Sequence, residues 1–268
     1  MLTAPVDQPL NLTTQAILTY GSYAITAILL IVAARKGIKQ KTPFFVLIIL
    51  AAAFGALFEP IYDVGFMLLF YIPGMWMTFT AFDIPQPIWT HSGYVVLYAG
   101  PALFICDRIN NRGLNQAGLF KWAGLEFLCS CTFEMIGING GAYTYWGPHA
   151  FRIFQYPLAI GVLETAQVIC FSVAAAALWK RTSGIAPLFG LFVLFPCTFY
   201  FANFGAGAPL IVALHTTDPS PILIMGASAL SIAFALLLIW GASYLLPAVR
   251  REPQLADERL PLAAATSV

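Results

Sequence analysis

Seven apolar runs, each long enough to cross a bilayer, fill most of this chain. They lie near 14–34, 43–71, 87–106, 118–138, 156–179, 185–204 and 222–246. A helical crossing needs roughly 20 residues. All cations but one fall in alternate connections. Arg35, Lys36, Lys39 and Lys41 follow the first run; Arg108, Arg112 and Lys121 follow the third. Lys180 and Arg181 follow the fifth, and Arg250, Arg251 and Arg259 the seventh. The other connections hold only Arg152. By the positive-inside rule the N-terminus is outside and the C-terminus cytoplasmic. The expected fold is an all-α integral membrane bundle of about seven transmembrane helices over 1–249, with a disordered polar tail at 250–268. Localisation follows as multi-pass membrane: plasma membrane in a bacterium, endoplasmic reticulum in a eukaryote.

Composition agrees. The chain is 60 % hydrophobic and 9 % charged, against about 25 % charged in soluble domains. Its net charge of +1 favours no nucleic-acid partner. Oligomeric state is unknown at this level. The first thirteen residues hold Asp7 and no Lys or Arg, so no cleavable leader is expected. Asn11-Leu12-Thr13 is a formal glycosylation sequon, but it sits too near the first span to carry weight. Five cysteines, Cys106, Cys129, Cys131, Cys170 and Cys197, form no C-x-x-C pair and read as small buried hydrophobes.

Acids are the anomaly. "GALFEPIYDVG", residues 55–65, places Glu59 and Asp63 one helical turn apart with Pro60 between them. Pro60 disfavours helix at Glu59, so a break after Phe58 is expected. Broken backbone at membrane depth is tolerated where it lines a cavity. Glu134 closes the fourth run, and Glu164 lies eight residues into the fifth with Gln167 on its face. Intramembrane acids are costly, roughly 2.5–3.5 kcal/mol each on insertion scales. Their convergence in the outer half predicts an acid-lined chamber of Glu59, Asp63, Glu134 and Glu164. Blander roles are open too: Arg152 as counter-ion of Glu134 or Asp63, Asp83 as a turn residue, and Glu126 as an inner helix tie. His91, His149 and His215 also fall on the outer side. The aromatic outer stretches 71–89 and 137–158 are either a lid or the interfacial belt.

The last run lacks a lysine for a retinal Schiff base. Three scattered histidines cannot form a di-iron desaturase site. No G-x-S-x-G elbow or glycine-rich phosphate loop is present. Carboxyls in an apolar, aromatic pocket suit proton transfer, and Tyr and Trp faces stabilise a developing cation. That chemistry is protonation of a lipophilic substrate followed by ring closure or loss of water, with no metal and no cofactor. Partners are then a lipophilic small molecule and membrane lipid.

Three stretches carry a family resemblance: "FEPIYDVGFMLLFYIPGMWMTFTAF", "IPQPIWTHSGYVVLYAG", and "FEMIGINGGAYTYWG" followed by "YPLAIGVLETAQ". In content and order, over roughly 55–170, they resemble the AveC-like spirocyclase family. The resemblance implies spiroketal formation and dehydration on a polyketide, with Glu59, Asp63, Glu134, Tyr143 and Tyr145 at the matching positions. Glu164 with Gln167 stands where that family is expected to carry a Trp/Asn-type pair. A shorter resemblance, "FEPIY" plus topology, is to fungal-type integral membrane terpene cyclases, which protonate an epoxide or alkene of a prenylated substrate. Carotenoid-modifying membrane proteins share a Glu before Gly-x-Tyr-x-Tyr. The expected catalytic set is Glu59 as general acid, Asp63 as its partner, and Glu134 and Glu164 as base or second acid. Tyr62, Trp76, Trp89, His91, Tyr94, Tyr143, Tyr145, Trp146, Gln167 and Asn203 are the expected substrate-binding residues. The rival class is a proton-coupled carrier, although the sequence shows no inverted repeat.

Overall fold

A computed structural model describes residues 3–247; the expected tail at 250–268, with Arg250, Arg251 and Arg259, lies outside the described residues. Five helices are long and apolar enough to cross a membrane: Leu12–Gln40, Phe44–Phe66, Leu158–Arg181, Ala186–Ala206 and Pro221–Tyr244. Two further helical stretches occupy the other expected runs and are more polar. One carries Asp107 and Arg108 near its end at Asn111; the other carries Lys121, Glu126 and Glu134.

In chain order the helices are α1 (Leu12–Gln40), α2 (Phe44–Gly55), α3 (Glu59–Phe66), α4 (Thr90–Tyr94), α5 (Gly100–Asn111), α6 (Gln116–Asn139), α7 (Leu158–Arg181), α8 (Leu191–Tyr200), α9 (Ala208–Leu214) and α10 (Pro221–Tyr244). Asn11 caps α1, its side chain accepting from the Thr13 and Thr14 amides, which gives the sequon asparagine a structural task. α7 is central and packs on α5, α6, α8 and α10. Lys36 pairs with Asp107 at 2.6 Å, Phe44 stacks on Trp179, and Gln116 bonds Ser243. These contacts gather six helix ends at one pole, here the basic end. Partly buried Asp107 sits there, bonded by Lys36, Gln40 and Asn111.

Prolines shape the helices next to the site. The expected break at Pro60 does not occur, and Glu59 is helical (φ −52°, ψ −44°). A 3-10 turn, Ala56–Phe58, joins α2 to α3, and the Glu59 amide bonds the Ala56 carbonyl, the acceptor Pro60 cannot reach. Proline in a first turn costs little because its missing N–H has no helical partner there. Residues 68–70, expected to prolong the span, leave it after Met67, which adopts a left-handed conformation. Pro101 and Pro209 each lie just beyond a π-helical turn, Val95–Ala99 and Phe201–Ala206. A proline inside a helix strips a bond from the carbonyl four residues back and clashes with it; here those carbonyls belong to Leu97 and Gly205, inside the widened turns.

The opposite pole is not purely helical. Three two-stranded antiparallel pairs fold the aromatic connections: β1 (Leu68–Phe70) with β4 (Tyr143–Tyr145), β2 (Met77–Ala81) with β3 (Ile84–Pro87), and β5 (Arg152–Ile153) with β6 (Tyr156–Pro157). Two of them close through two-residue turns with both positions at positive φ, Phe82-Asp83 and Phe154-Gln155. Asp83 is thus a turn residue, as expected. Cys106 and Cys131 are buried, whereas Cys129 and Cys197 are exposed, against expectation; all five are free.

Candidate functional site

Three acids meet in one cavity near the hairpin pole. α3 supplies Glu59, α6 supplies Glu134 and α7 supplies Glu164. The cavity is completed by Tyr62, Trp89, Tyr94, Tyr98, Tyr143 and Tyr145, with Phe70, Leu97 and Phe133 among the apolar walls. Backbone geometry explains how the tyrosines arrive. Tyr94 and Tyr98 lie four apart across the first π turn, rings 4.9 Å apart and edge-on. Pairing of β1 with β4 sets Phe70 opposite Tyr143 and Leu68 opposite Tyr145. Strand alternation turns both tyrosines to the same buried face.

Glu164 sits in a cradle of hydroxyls. Tyr62 and Tyr98 donate to Oε1, each at 3.3 Å; Ser130 and Tyr156 donate to Oε2 at 2.6 and 2.9 Å. Four hydroxyls face the four lone-pair sites of the carboxylate, an arrangement that suits its ionised form. Glu59 and Glu134 each have a single hydroxyl partner for their carboxyl groups. Glu59 Oε2 accepts from Tyr94, and Glu134 Oε2 has a long 3.5 Å contact from Tyr145. Among the described residues no cation pairs with any of the three. Arg152, considered as their counter-ion, instead donates to the carbonyls of His149, Gln155, Tyr145 and Gly147.

Asp63 stands behind the cavity. Its Oδ2 accepts from Gln86 Nε2 at 2.6 Å, tying α3 to β3. Asp63 Oδ1 and Gln86 Oε1 are both buried without a donor. A carboxyl proton on Asp63 is the hydrogen that such a pair lacks.

Other expected residues lie elsewhere. Trp76 is exposed, edge-on to Tyr20, with its amide bonded to Gln15. His91 bonds the Ala53 carbonyl. Trp146 is half-buried, its amide bonded to the Met67 carbonyl. Asn203 is buried in the second π turn and bonds the Phe199 carbonyl. Gln167 is buried one turn along α7 from Glu164, with no partner for its amide. His149 and His215 bond the carbonyls of Phe66 and of Val64 and Gly65. A carbonyl only accepts, so the facing ring nitrogens carry the protons. Burial, and then Arg152, push the His149 imidazole down to about 3, so it is neutral at neutral pH.

Reading the sequence missed Tyr98, Ser130, Tyr156 and Gln86. Tyr98 is marked by its four-residue spacing from Tyr94, and Ser130 by its spacing from Glu134; Gln86 is flanked by prolines in a stretch almost free of charge.

Among the described residues, no group of three or more His, Cys, Asp or Glu is arranged to hold a metal ion. The cavity offers about 40 Å³ to water, room for up to a few molecules. Its wall joins the α4–π segment to α6. α5 and α6 each pack along α7 and touch one another little. Comparison with protein-family models, curated proteins and solved structures finds no match to this chain.

Proposed function

We propose that this chain is a membrane-embedded acid/base cyclase or dehydratase acting on a lipophilic, oxygenated substrate of polyketide type. One observation carries the reading: a carboxylate held by four hydroxyls beside two carboxyls that face the same buried, aromatic-walled cavity. In this reading seven helices span the bilayer, N-terminus outside. The stretches Thr90–Asn111 and Gln116–Asn139 are long enough at 1.5 Å per residue to cover a hydrocarbon core of about 30 Å. The cations at the basic end then face the cytoplasm.

Glu59 is the general acid. It protonates a hemiketal hydroxyl, the C–O bond breaks, and water leaves. A second hydroxyl attacks the resulting oxocarbenium carbon and closes the ring. Glu134 takes the proton that this hydroxyl releases. Glu164, kept ionised, stabilises the positive charge that develops between those steps, helped by the faces of Tyr94 and Tyr98. Tyr143 and Tyr145 orient substrate oxygens. Asp63 acts through α3 and is a positioning residue. A prenylated substrate would use the same acid on an epoxide or alkene. Substrate enters from the bilayer as α6 parts from the α4–π segment, because about 40 Å³ accepts water and nothing larger.

That small volume also favours a second reading, a proton-coupled carrier resting between its open states. Metabolite profiling separates them. A host making the wild type, fed lipophilic polyketide and prenylated precursors, is expected to form a cyclised or dehydrated product that Glu59→Gln, at equal membrane level, does not. The same product from both would remove Glu59 from the chemistry. Substrate flux into proteoliposomes without any product would establish the carrier.

A further inference from the structure

One buried acid has no part in that chemistry. Glu126 on α6 is 2 % exposed, and among the described residues neither of its carboxyl oxygens has a hydrogen-bond partner. The expected helix tie therefore does not exist. Glu126, Ser130 and Glu134 recur every four residues along the buried face of α6, so each lies one turn from the next. Ser130 already donates to Glu164 at 2.6 Å. Glu126 is thus one turn from the hydroxyl cradle, on its basic-end side. Gln167, fully buried and equally without partners, occupies the corresponding turn of α7.

From the basic end an open cleft of about 620 Å³ runs along the start of α6 as far as Leu125, and the buried Glu126 carboxyl lies behind its wall. Arg108, Asn115 and Lys121 line it, as do Trp122 and Leu125. Trp122 lies one turn before Glu126, and Leu125 is its neighbour in sequence. Unpartnered buried polar groups are costly unless water or a proton satisfies them.

We infer that Glu126 is the proton-delivery site of the acid cavity, carrying protons from water in the basic-end cleft to Glu164 by way of Ser130. The Glu126 carboxyl releases its proton to one bridging water. That water passes a proton to Ser130 Oγ, whose own hydroxyl proton moves to Glu164 Oε2; Glu164 holds it only in passing and returns to its ionised form as Tyr62 and Tyr145 relay a proton to Glu134. The Glu126 carboxylate is then reprotonated from the cleft. Bonds made and broken are all O–H, and no oxidant or reductant is needed. The inference deepens the acid/base reading of the cavity, but its test needs no turnover.

Infrared spectroscopy of the full-length protein in membranes measures how fast buried carboxyl bands shift when H₂O is exchanged for D₂O. Glu126→Gln is expected to slow exchange of the remaining cavity carboxyls by about a hundredfold, the low end of what a positioned proton-transfer group contributes. Glu126→Asp should keep most of the wild-type rate. Ser130→Ala, which leaves Glu126 intact, should slow exchange as well and serves if Glu126→Gln does not fold. Wild-type exchange rates in either Glu126→Gln or Ser130→Ala would overturn the inference and place water access at the hairpin pole. Slowed exchange in a protein that turns nothing over would leave the delivery route standing and remove only the cyclase.

Discussion

The cradle around Glu164 makes a graded prediction, because its four donors differ in length. Hydroxyl bonds are strong near 2.5–3.0 Å, and a hydrogen bond to a charged group contributes about 1.5–3 kcal/mol net, a neutral one about 1. Ser130 at 2.6 Å and Tyr156 at 2.9 Å are in the strong range; Tyr62 and Tyr98, both at 3.3 Å, are outside it. Ser130→Ala and Tyr156→Phe should each cost about 2 kcal/mol, and Tyr62→Phe and Tyr98→Phe under about 1. Glu164→Gln should cost more than any of them, since an amide nitrogen replaces one acceptor and faces two hydroxyl donors. Reversible unfolding of the full chain in mixed detergent, titrated with a denaturing surfactant, measures these differences. A neutral Glu164 would reverse the ranking: Glu164→Gln would be nearly silent and the four hydroxyl deletions alike. Either result refutes an ionised Glu164 and with it the charge-stabilising role.

Three further outcomes follow from other contacts. Asp63→Asn should lie within about 1 kcal/mol of wild type, because an amide supplies the donor the Asp63–Gln86 pair lacks, whereas Asp63→Leu should cost about 1–3 kcal/mol; equal losses in the same unfolding assay would rule out a protonated Asp63. A Cβ on Gly137 would sit 2.5 Å from the Tyr143 hydroxyl, so Gly137→Ala should cost about 1–3 kcal/mol as an overpacked core site and abolish product formation; an active, stable variant would show that Tyr143 is free to move. His149 is neutral in the fold down to about 3, while an unfolded histidine protonates near 6.5. The unfolded segment therefore binds more protons below that value, and stability is lost as pH falls from 6.5 toward 3. The loss is about 2 kcal/mol at pH 5. Proteolysis of the 146–157 segment should rise from pH 8 to pH 5 in the wild type and stay flat in His149→Gln; an equal rise in both would exclude His149 as the cause.

Helix spacing and span depth made the meeting of Glu59, Glu134 and Glu164 legible, while Tyr143 and Tyr145 came only with the family resemblance. The partners of Glu164 were less so. Ser130 in "CSC" looks like packing, and Tyr156 reaches α7 only because β5 and β6 fold back. Pro60 misled because its effect depends on position: in a first turn it is harmless. The hairpin turns Phe82-Asp83 and Phe154-Gln155 lack the Asn-Gly or Asp-Gly pairs that announce such turns. Arg152 looked like a counter-ion for an acid and the three histidines simply fell on the outer side, yet all four find backbone carbonyls, acceptors that every residue carries and no sequence pattern marks.

Those histidine bonds bear on how the protein is made. The second span runs Phe44–Phe66, and its later carbonyls are taken by His91 (for Ala53), His149 (for Phe66) and His215 (for Val64 and Gly65). The last carbonyls of a helix have no partner within it, and none can stay unsatisfied in lipid. A ribosome adding about 5–20 residues per second delivers His215 roughly ten to thirty seconds after Phe66. During that interval the hairpin pole of the span must borrow water or an insertion-machinery surface. The second span is therefore completed only when the residue after α9 arrives, and truncation before His215 should leave a second helix that inserts but frays beneath the acid cavity.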